Sequence, residues 1–181
     1  MTMDPSIALA SRVLGALVFA AAVGGKIRHR RELAGVVANY RLLPERLAAP
    51  AAWMLVGLEF LVALSLVSGA WVRAGAALAI ALLVAFALAM GINLARGRRE
   101  IDCGCFQSGL RQRLSAMLVA RNLVLAAILT PLLAAGAAGA TTALQWVDGL
   151  GAGLAVYVLY QILGELVSLR QSSAELRRRF A

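Results

Sequence analysis

The chain has 181 residues, of which 61% are apolar and only 15% are charged, and its mean hydropathy is +0.81. Soluble chains are nearer half apolar and a quarter charged, so an ordinary soluble domain, a disordered chain and a disulfide-stapled secreted module are excluded. The apolar residues also fall in blocks of roughly 20 residues, the length a helix needs to cross a bilayer. The sequence predicts an all-α, polytopic membrane bundle that forms one integral-membrane domain over residues 1–181.

Four to five apolar blocks are predicted to cross the lipid bilayer. The first block is predicted to be an uncleaved anchor rather than a signal peptide, because residues 1–6 carry an acid and no cation. After it, residues 28–43 are predicted to form a basic amphipathic helix in the headgroup layer. If the last block does not cross, four spans remain. The predicted spans are residues 7–27, 51–71, 74–95, 114–133 and 146–169, with a polar cysteine loop at 96–113.

Positive charge is distributed unevenly between the two faces of the predicted bundle. Counting Lys26, all but three of the 18 Lys and Arg residues lie between the first two spans, in the cysteine loop or in the tail; the exceptions are Arg12, Arg73 and Arg121. Because basic residues collect on the cytoplasmic side, the N-terminus is predicted outside and the cysteine loop inside. No base-stacking aromatic residues accompany the arginines, so nucleic acid is not an expected partner.

The only two cysteines of the chain, Cys103 and Cys105, are separated by one glycine. Gly104 allows the backbone to bend there, and a disulfide closing so small a ring is expected to be strained and readily exchanged. We therefore predict a redox pair. Inert thiols and a metal site remain as alternatives, but two thiolates and one histidine, His29, do not complete a tetrahedral zinc site. No resident metal and no cofactor are predicted.

Two charged residues lie inside predicted spans at similar depths. Glu59 lies eight residues past Ala51, and Arg121 lies seven past Leu114, so both are about 10 to 12 Å from the same face at 1.5 Å per residue. An unpaired charge is costly there, so a Glu59–Arg121 pair is predicted, with Asn122 as an added hydrogen-bond partner. Such a pair would hold the second and fourth spans together beneath the cysteine loop. A proton-handling role for Glu59 is the alternative.

The order of these features resembles the MauE family of methylamine-utilisation membrane proteins, within the broader DoxX-like group. The resemblance extends over about three quarters of the chain. Its most specific part is the Cys-Gly-Cys-Phe element between the third and fourth spans. The matching elements are Gly25-Lys26, Asn39-Tyr40-Arg41-Leu42-Leu43-Pro44, Gly57-Leu58-Glu59, Asp102-Cys103-Gly104-Cys105-Phe106 and Ala120-Arg121-Asn122-Leu123.

The resemblance implies a multi-pass protein of the bacterial inner membrane. It implies a part in the maturation, processing or export of the small, disulfide-rich β subunit of methylamine dehydrogenase. The expected partners are the lipid bilayer, a thioredoxin-fold protein like MauD and, directly or indirectly, the β subunit. The work would be thiol–disulfide exchange at Cys103 and Cys105, as a relay without an independent catalytic activity.

The expected sidedness conflicts with that role. The client would mature in the periplasm, whereas the cation count places the cysteines toward the cytoplasm. Either the cysteine loop dips into the bundle and passes reducing equivalents across, or the protein is a non-enzymatic scaffold for the maturation machinery. A quinone-linked oxidase would generally have a second cysteine pair, and a transporter would show broken helices or internal repeats.

Overall fold

The computed structural model describes residues 4–98, 100–101, 103–104, 113–135 and 142–180. These residues include five helical segments that are long and apolar enough to cross a membrane. The predicted all-α polytopic bundle is thereby confirmed. The helices are α1 (Pro5–Arg28), α2 (Arg30–Asn39), α3 (Glu45–Ser68), α4 (Val72–Ala95), α5 (Ala116–Leu129), α6 (Pro131–Ala135) and α7 (Ala143–Phe180).

Helix boundaries depart from the predicted spans mainly near proline and glycine. α3 begins directly after Pro44, six residues before the predicted start, and ends before Gly69, whose φ of +74° is the left-handed conformation that terminates helices. The fourth span is divided into α5 and α6 at Pro131, because proline has no N–H to continue the helical ladder. α7 continues past the predicted end at 169 to Phe180.

The core of the bundle is apolar and is arranged around α1. This helix contacts α2, α3, α5, α6 and α7, while α4 packs against α3, α5 and α6. Burial of these aliphatic and aromatic side chains against one another gives close packing between the helices. Representative buried residues are Leu14, Phe19, Val62, Leu66, Ala79 and Leu129.

A surface of small residues on α7 packs against α1 within the same chain. A Cβ atom added at Gly149 would lie 2.7 Å from Leu9, and one added at Gly153 would lie 2.7 Å from Val13 and 2.8 Å from the carbonyl oxygen of Ala10. Real side chains do not tolerate such distances without movement of a neighbour. Glycine therefore sets how closely the N-terminal halves of α1 and α7 approach each other.

The amphipathic segment forms α2, which packs onto the bundle through its apolar face. Leu33 is only 3% exposed and clusters with Val23, Ala52 and Val56. The arginines of α2, by contrast, are exposed. α2 therefore covers the end of the bundle where α1 ends and α3 begins.

Candidate functional site

The base of the cysteine loop is closed by contacts between its two ends. The backbone N–H of Leu114 donates to the carbonyl of Ile101 at 3.1 Å. Beside it, the exposed side chains of Arg113 and Glu100 form an ion pair at 2.7 Å. These contacts bring the end of α4 and the start of α5 together.

The turn at Cys103 and Gly104 is anchored to α2. The Tyr40 hydroxyl donates a hydrogen bond to the carbonyl oxygen of Cys103 at 3.0 Å. Gly104 has a φ of +73°, and a Cβ atom there would lie 2.8 Å from Val36, so both conformation and space require glycine. Cys103 is half-buried, and Cys105 lies outside the residues the structure describes.

An inner cavity of about 210 Å³ lies inside the bundle at the cysteine end, and Cys103 and Gly104 form part of its wall. Five membrane-spanning helices and α2 contribute to the lining, which is mostly apolar. The helix side chains in its lining that carry charge or a polar amide are Lys26, Glu59, Arg121 and Asn122. The predicted intramembrane polar residues thus share one cavity with the first predicted redox cysteine.

Glu59 forms a buried ion pair with Lys26 on α1. The Lys26 ammonium donates to both carboxylate oxygens, at 2.5 Å and 2.7 Å. The two side chains are only 9% and 2% exposed, and the ammonium lies 5.4 Å from the centre of the Phe86 ring. Because both charges are removed from water, either one without the other would be strongly unfavourable. The pair ties α1 to α3 below the cysteine turn.

Arg121 lies on the same cavity wall, with its guanidinium 5.2 Å from the centre of the Tyr160 ring on α7. The sequence predicted Arg121 as the partner of Glu59 and left Lys26 out of that constellation. The structure adds Lys26, which lies directly against the Glu59 carboxylate, and it places Arg121 in the wall of the same cavity. Counting residues from the start of each span placed Glu59 and Arg121 at the same depth in the membrane. The count could not identify the third helix that faces them.

Asn122 is 5% exposed and lines the inner cavity. Its side-chain amide makes no hydrogen bond to any residue that the structure describes. The predicted hydrogen bond from Asn122 to the Glu59–Arg121 pair is therefore not found there. An amide buried without such a bond leaves its donor and acceptor capacity available to a molecule in the cavity.

Three residues that shape this site were not predicted as site residues. Lys26 and Tyr40 entered the sequence analysis only as parts of the first span, the amphipathic segment and the MauE resemblance. Asn93 was overlooked, although it is fully buried and its side-chain oxygen accepts from Arg98 at 3.1 Å where α4 ends. A single polar residue inside an otherwise apolar run was the available signal for Lys26 and Asn93.

Metal binding gains no support from the described residues. Within residues 4–98, 100–101, 103–104, 113–135 and 142–180, no group of three His, Cys, Asp or Glu side chains could hold a metal ion. Cys105, which with Cys103 would supply half of a tetrahedral site, lies outside that part of the chain.

The family model and the similar proteins with known names all point to one family. The family model described as "Methylamine utilisation protein MauE" matches residues 3–139. A protein named "Methylamine utilization protein MauE" from Paracoccus denitrificans is 43% identical over 162 residues, covering 87% of this chain and 86% of that protein. The protein of that name from Paracoccus versutus is 39% identical over 182 residues, covering 97% of each. No solved structure matches.

Proposed function

This chain belongs to the MauE family, and from that premise we propose that it is the thiol–disulfide component of the methylamine utilisation system. Its task is maturation, processing or export of the disulfide-rich β subunit of methylamine dehydrogenase. The exchange partner is a thioredoxin-fold protein like MauD. The membership itself supports a role in methylamine utilisation, and five candidate spans support a multi-pass membrane protein.

The observation that carries the proposal is the placement of Cys103. The residue lies in a turn held by Tyr40 and Gly104, in the wall of a cavity that contains a buried ion pair. A purely structural cysteine needs no such anchored turn. The fixed backbone would present the thiol in one orientation, which favours attack along the S–S axis of a disulfide.

The chemistry needs only the two cysteines and the partner. A thiolate of the partner attacks the Cys103–Cys105 disulfide, one S–S bond breaks and a mixed disulfide forms. The partner's second thiolate then attacks the mixed disulfide, so the partner leaves oxidised and the Cys103–Cys105 pair is left as a dithiol. Run in reverse, the same steps reduce the partner. Two electrons and two protons move in either direction.

We place the protein in the bacterial inner membrane with its N-terminus outside. The support is the location of its cations, which concentrate at the end of the bundle that carries the cysteine turn. A periplasmic partner would then have to reach the pair from within the bundle, and Cys103 lines the inner cavity. A membrane-impermeant maleimide applied to intact and lysed cells would measure which face reaches the pair.

Replacing both cysteines by serine tests the proposal. We expect cells with Cys103→Ser/Cys105→Ser to lose nearly all active methylamine dehydrogenase, with the variant still present in the membrane at wild-type abundance. Arg113→Gln is the matched control, because it removes the exposed ion pair with Glu100 at the loop base and leaves both thiols. Normal dehydrogenase activity in the double-serine cells would overturn the proposal.

A non-enzymatic scaffold is the second candidate function. It is favoured by α7, because many of its large apolar side chains are exposed and offer a long face to other membrane helices. The double-serine variant separates the candidates, since a scaffold would still support maturation.

A further inference from the structure

A second cavity lies between the inner cavity and the lipid-facing surface. This groove of about 360 Å³ lies between α5 and α7 and is lined almost entirely by apolar side chains. Arg121, Leu125 and Tyr160 line both the inner cavity and this α5/α7 groove. The two spaces are therefore adjacent and share three wall residues, and together they have the size of a small-molecule site.

The α5/α7 groove opens where the bundle faces acyl chains. Val124, Leu159 and Leu163 line it, and each is more than half exposed. In a membrane-spanning chain, apolar side chains exposed at this depth contact lipid rather than water. A ligand arriving from the bilayer could therefore enter sideways, with an apolar tail in the groove.

Only a few polar side chains line the inner end of this path. Lys26 and Glu59 neutralise each other, whereas the Asn122 amide, more than nine-tenths buried, has no hydrogen bond to the described residues. The Arg121 guanidinium in the same wall is held 5.2 Å from the centre of the Tyr160 ring, and an amide with unused capacity can donate to the carbonyl oxygen of an uncharged ligand. The rings of Phe86 and Tyr160 add flat apolar surface beside it.

We propose that the inner cavity and the α5/α7 groove bind a lipid-soluble quinone. The ring lies in the inner cavity with a carbonyl oxygen accepting from the Asn122 amide, and the isoprenoid tail leaves through the groove. Cys103 in the same wall distinguishes a quinone from a fatty acid or phospholipid, because it gives the ring a redox neighbour.

The second step of this inference rests on the proposed function. After exchange with a partner, Cys103 and Cys105 are a dithiol, and the chain has no other cysteine to regenerate their disulfide. A quinone would take two electrons and the two thiol protons at its carbonyl oxygens, becoming a hydroquinone while the Sγ–Sγ bond forms. One pair could then react alternately with the partner and with the quinone, without a second pair.

Binding is tested on the purified full-length protein in detergent by calorimetric titration with decylubiquinone. We expect Gly164→Phe, which fills the α5/α7 groove, to weaken binding at least tenfold. Gly151→Phe is its matched control, since a Cβ atom added at either of these α7 glycines would meet open space but only Gly164 lines the groove. Asn122→Ala should weaken binding about fivefold to tenfold, and Leu123→Ala, at an exposed neighbouring position, should not.

Electron transfer is tested by mixing the prereduced protein with decylubiquinone without oxygen. Wild type should form hydroquinone in stoichiometric amount and lose both thiols. Cys103→Ser/Cys105→Ser should form no hydroquinone under the same conditions. All variants are compared at equal monodispersity in size-exclusion chromatography, so that a misfolded variant is not scored as a loss of binding.

Three outcomes would overturn the inference: no measurable binding, binding unaffected by both Gly164→Phe and Asn122→Ala, or equal displacement of decylubiquinone by palmitate and by phospholipid. These results are distinguishable from failure of the proposed function. If the quinone does not bind but the double-serine cells lack dehydrogenase, the exchange role stands alone. If the quinone binds at this site but double-serine cells make dehydrogenase, the binding site stands and the exchange role fails.

Discussion

The two ends of the bundle use similar apolar residues but join their helices in different ways. At the end that carries the cysteine turn, α1, α3, α4 and α5 surround a cavity that contains the buried Lys26–Glu59 pair. At the opposite end, glycines bring α1 against α7 and leave no room for a side chain. One end keeps space around a buried charge pair, and the other is closely packed.

The cations at the opposite end also have a structural explanation. Arg12 donates from Nε to the carbonyl of Leu66 at 2.7 Å and so satisfies a carbonyl at the end of α3. Arg73 donates to the carbonyl of Ala134 in α6 at 3.2 Å. Among the residues that the structure describes, this end is closely packed and its helix ends are capped, so we expect a ligand or partner site at the end that carries the cysteine turn.

The largest effect is expected from breaking the buried ion pair. Glu59→Met leaves the Lys26 charge buried alone and should lower the free energy of unfolding by about 3–5 kcal/mol. Lys26→Met should cost a similar amount, while the double variant should lose much less than the two combined. Unfolding by titration with SDS in mixed micelles measures all three variants, and additive losses would show that the two residues are not coupled.

Filling the close contact at the opposite end should have the next largest effect. Gly153→Leu would force α7 away from Val13 and from the backbone of Ala10, and should cost about 2 kcal/mol in the same SDS titration. Gly151→Leu, whose added side chain meets open space, should change stability little. Equal losses in the two variants would mean that the close approach of α1 and α7 does not contribute.

Removing the cation that caps α3 should cost less. Arg12→Met deletes hydrogen bonds to the carbonyls of Leu66 and Val67 and should lower the free energy of unfolding by about 1 kcal/mol. Arg73→Met deletes a single, longer and exposed hydrogen bond and should cost about half as much. If Arg73→Met proves the more damaging of the two, the assigned capping role of Arg12 is wrong.

The last expected effect is local to the cysteine turn and is measured on the thiol. Tyr40→Phe loses one hydrogen bond to the Cys103 carbonyl, worth about 1 kcal/mol, and should release the turn. In a Cys105→Ser background, alkylation of Cys103 by a small maleimide should then be about fivefold faster. The reason is that losing about 1 kcal/mol raises the population of the released turn about fivefold. Tyr157→Phe, which removes a hydrogen bond from Gln161, is the control and should leave the rate unchanged.

The spans could be predicted because each apolar block is long enough to cross a bilayer and few other structures suit such a composition. Depth along the chain was enough to bring Glu59 and Arg121 to the same cavity. It was not enough to identify Lys26, because the rotation of α1 about its axis depends on packing against several helices at once. The cavity around Asn122 was unpredictable for the same reason, since empty space is a property of the assembled bundle.

Trapping the exchange intermediate is the most direct test of the central claim. Cys103→Ser and Cys105→Ser are produced separately in cells that make the thioredoxin-fold partner, and free thiols are blocked by alkylation before non-reducing electrophoresis. We predict that one of the two single variants accumulates a reductant-sensitive covalent complex with the partner, and that the double variant does not. If neither single variant forms such a complex while both support production of active dehydrogenase, the cysteine pair takes no part in maturation.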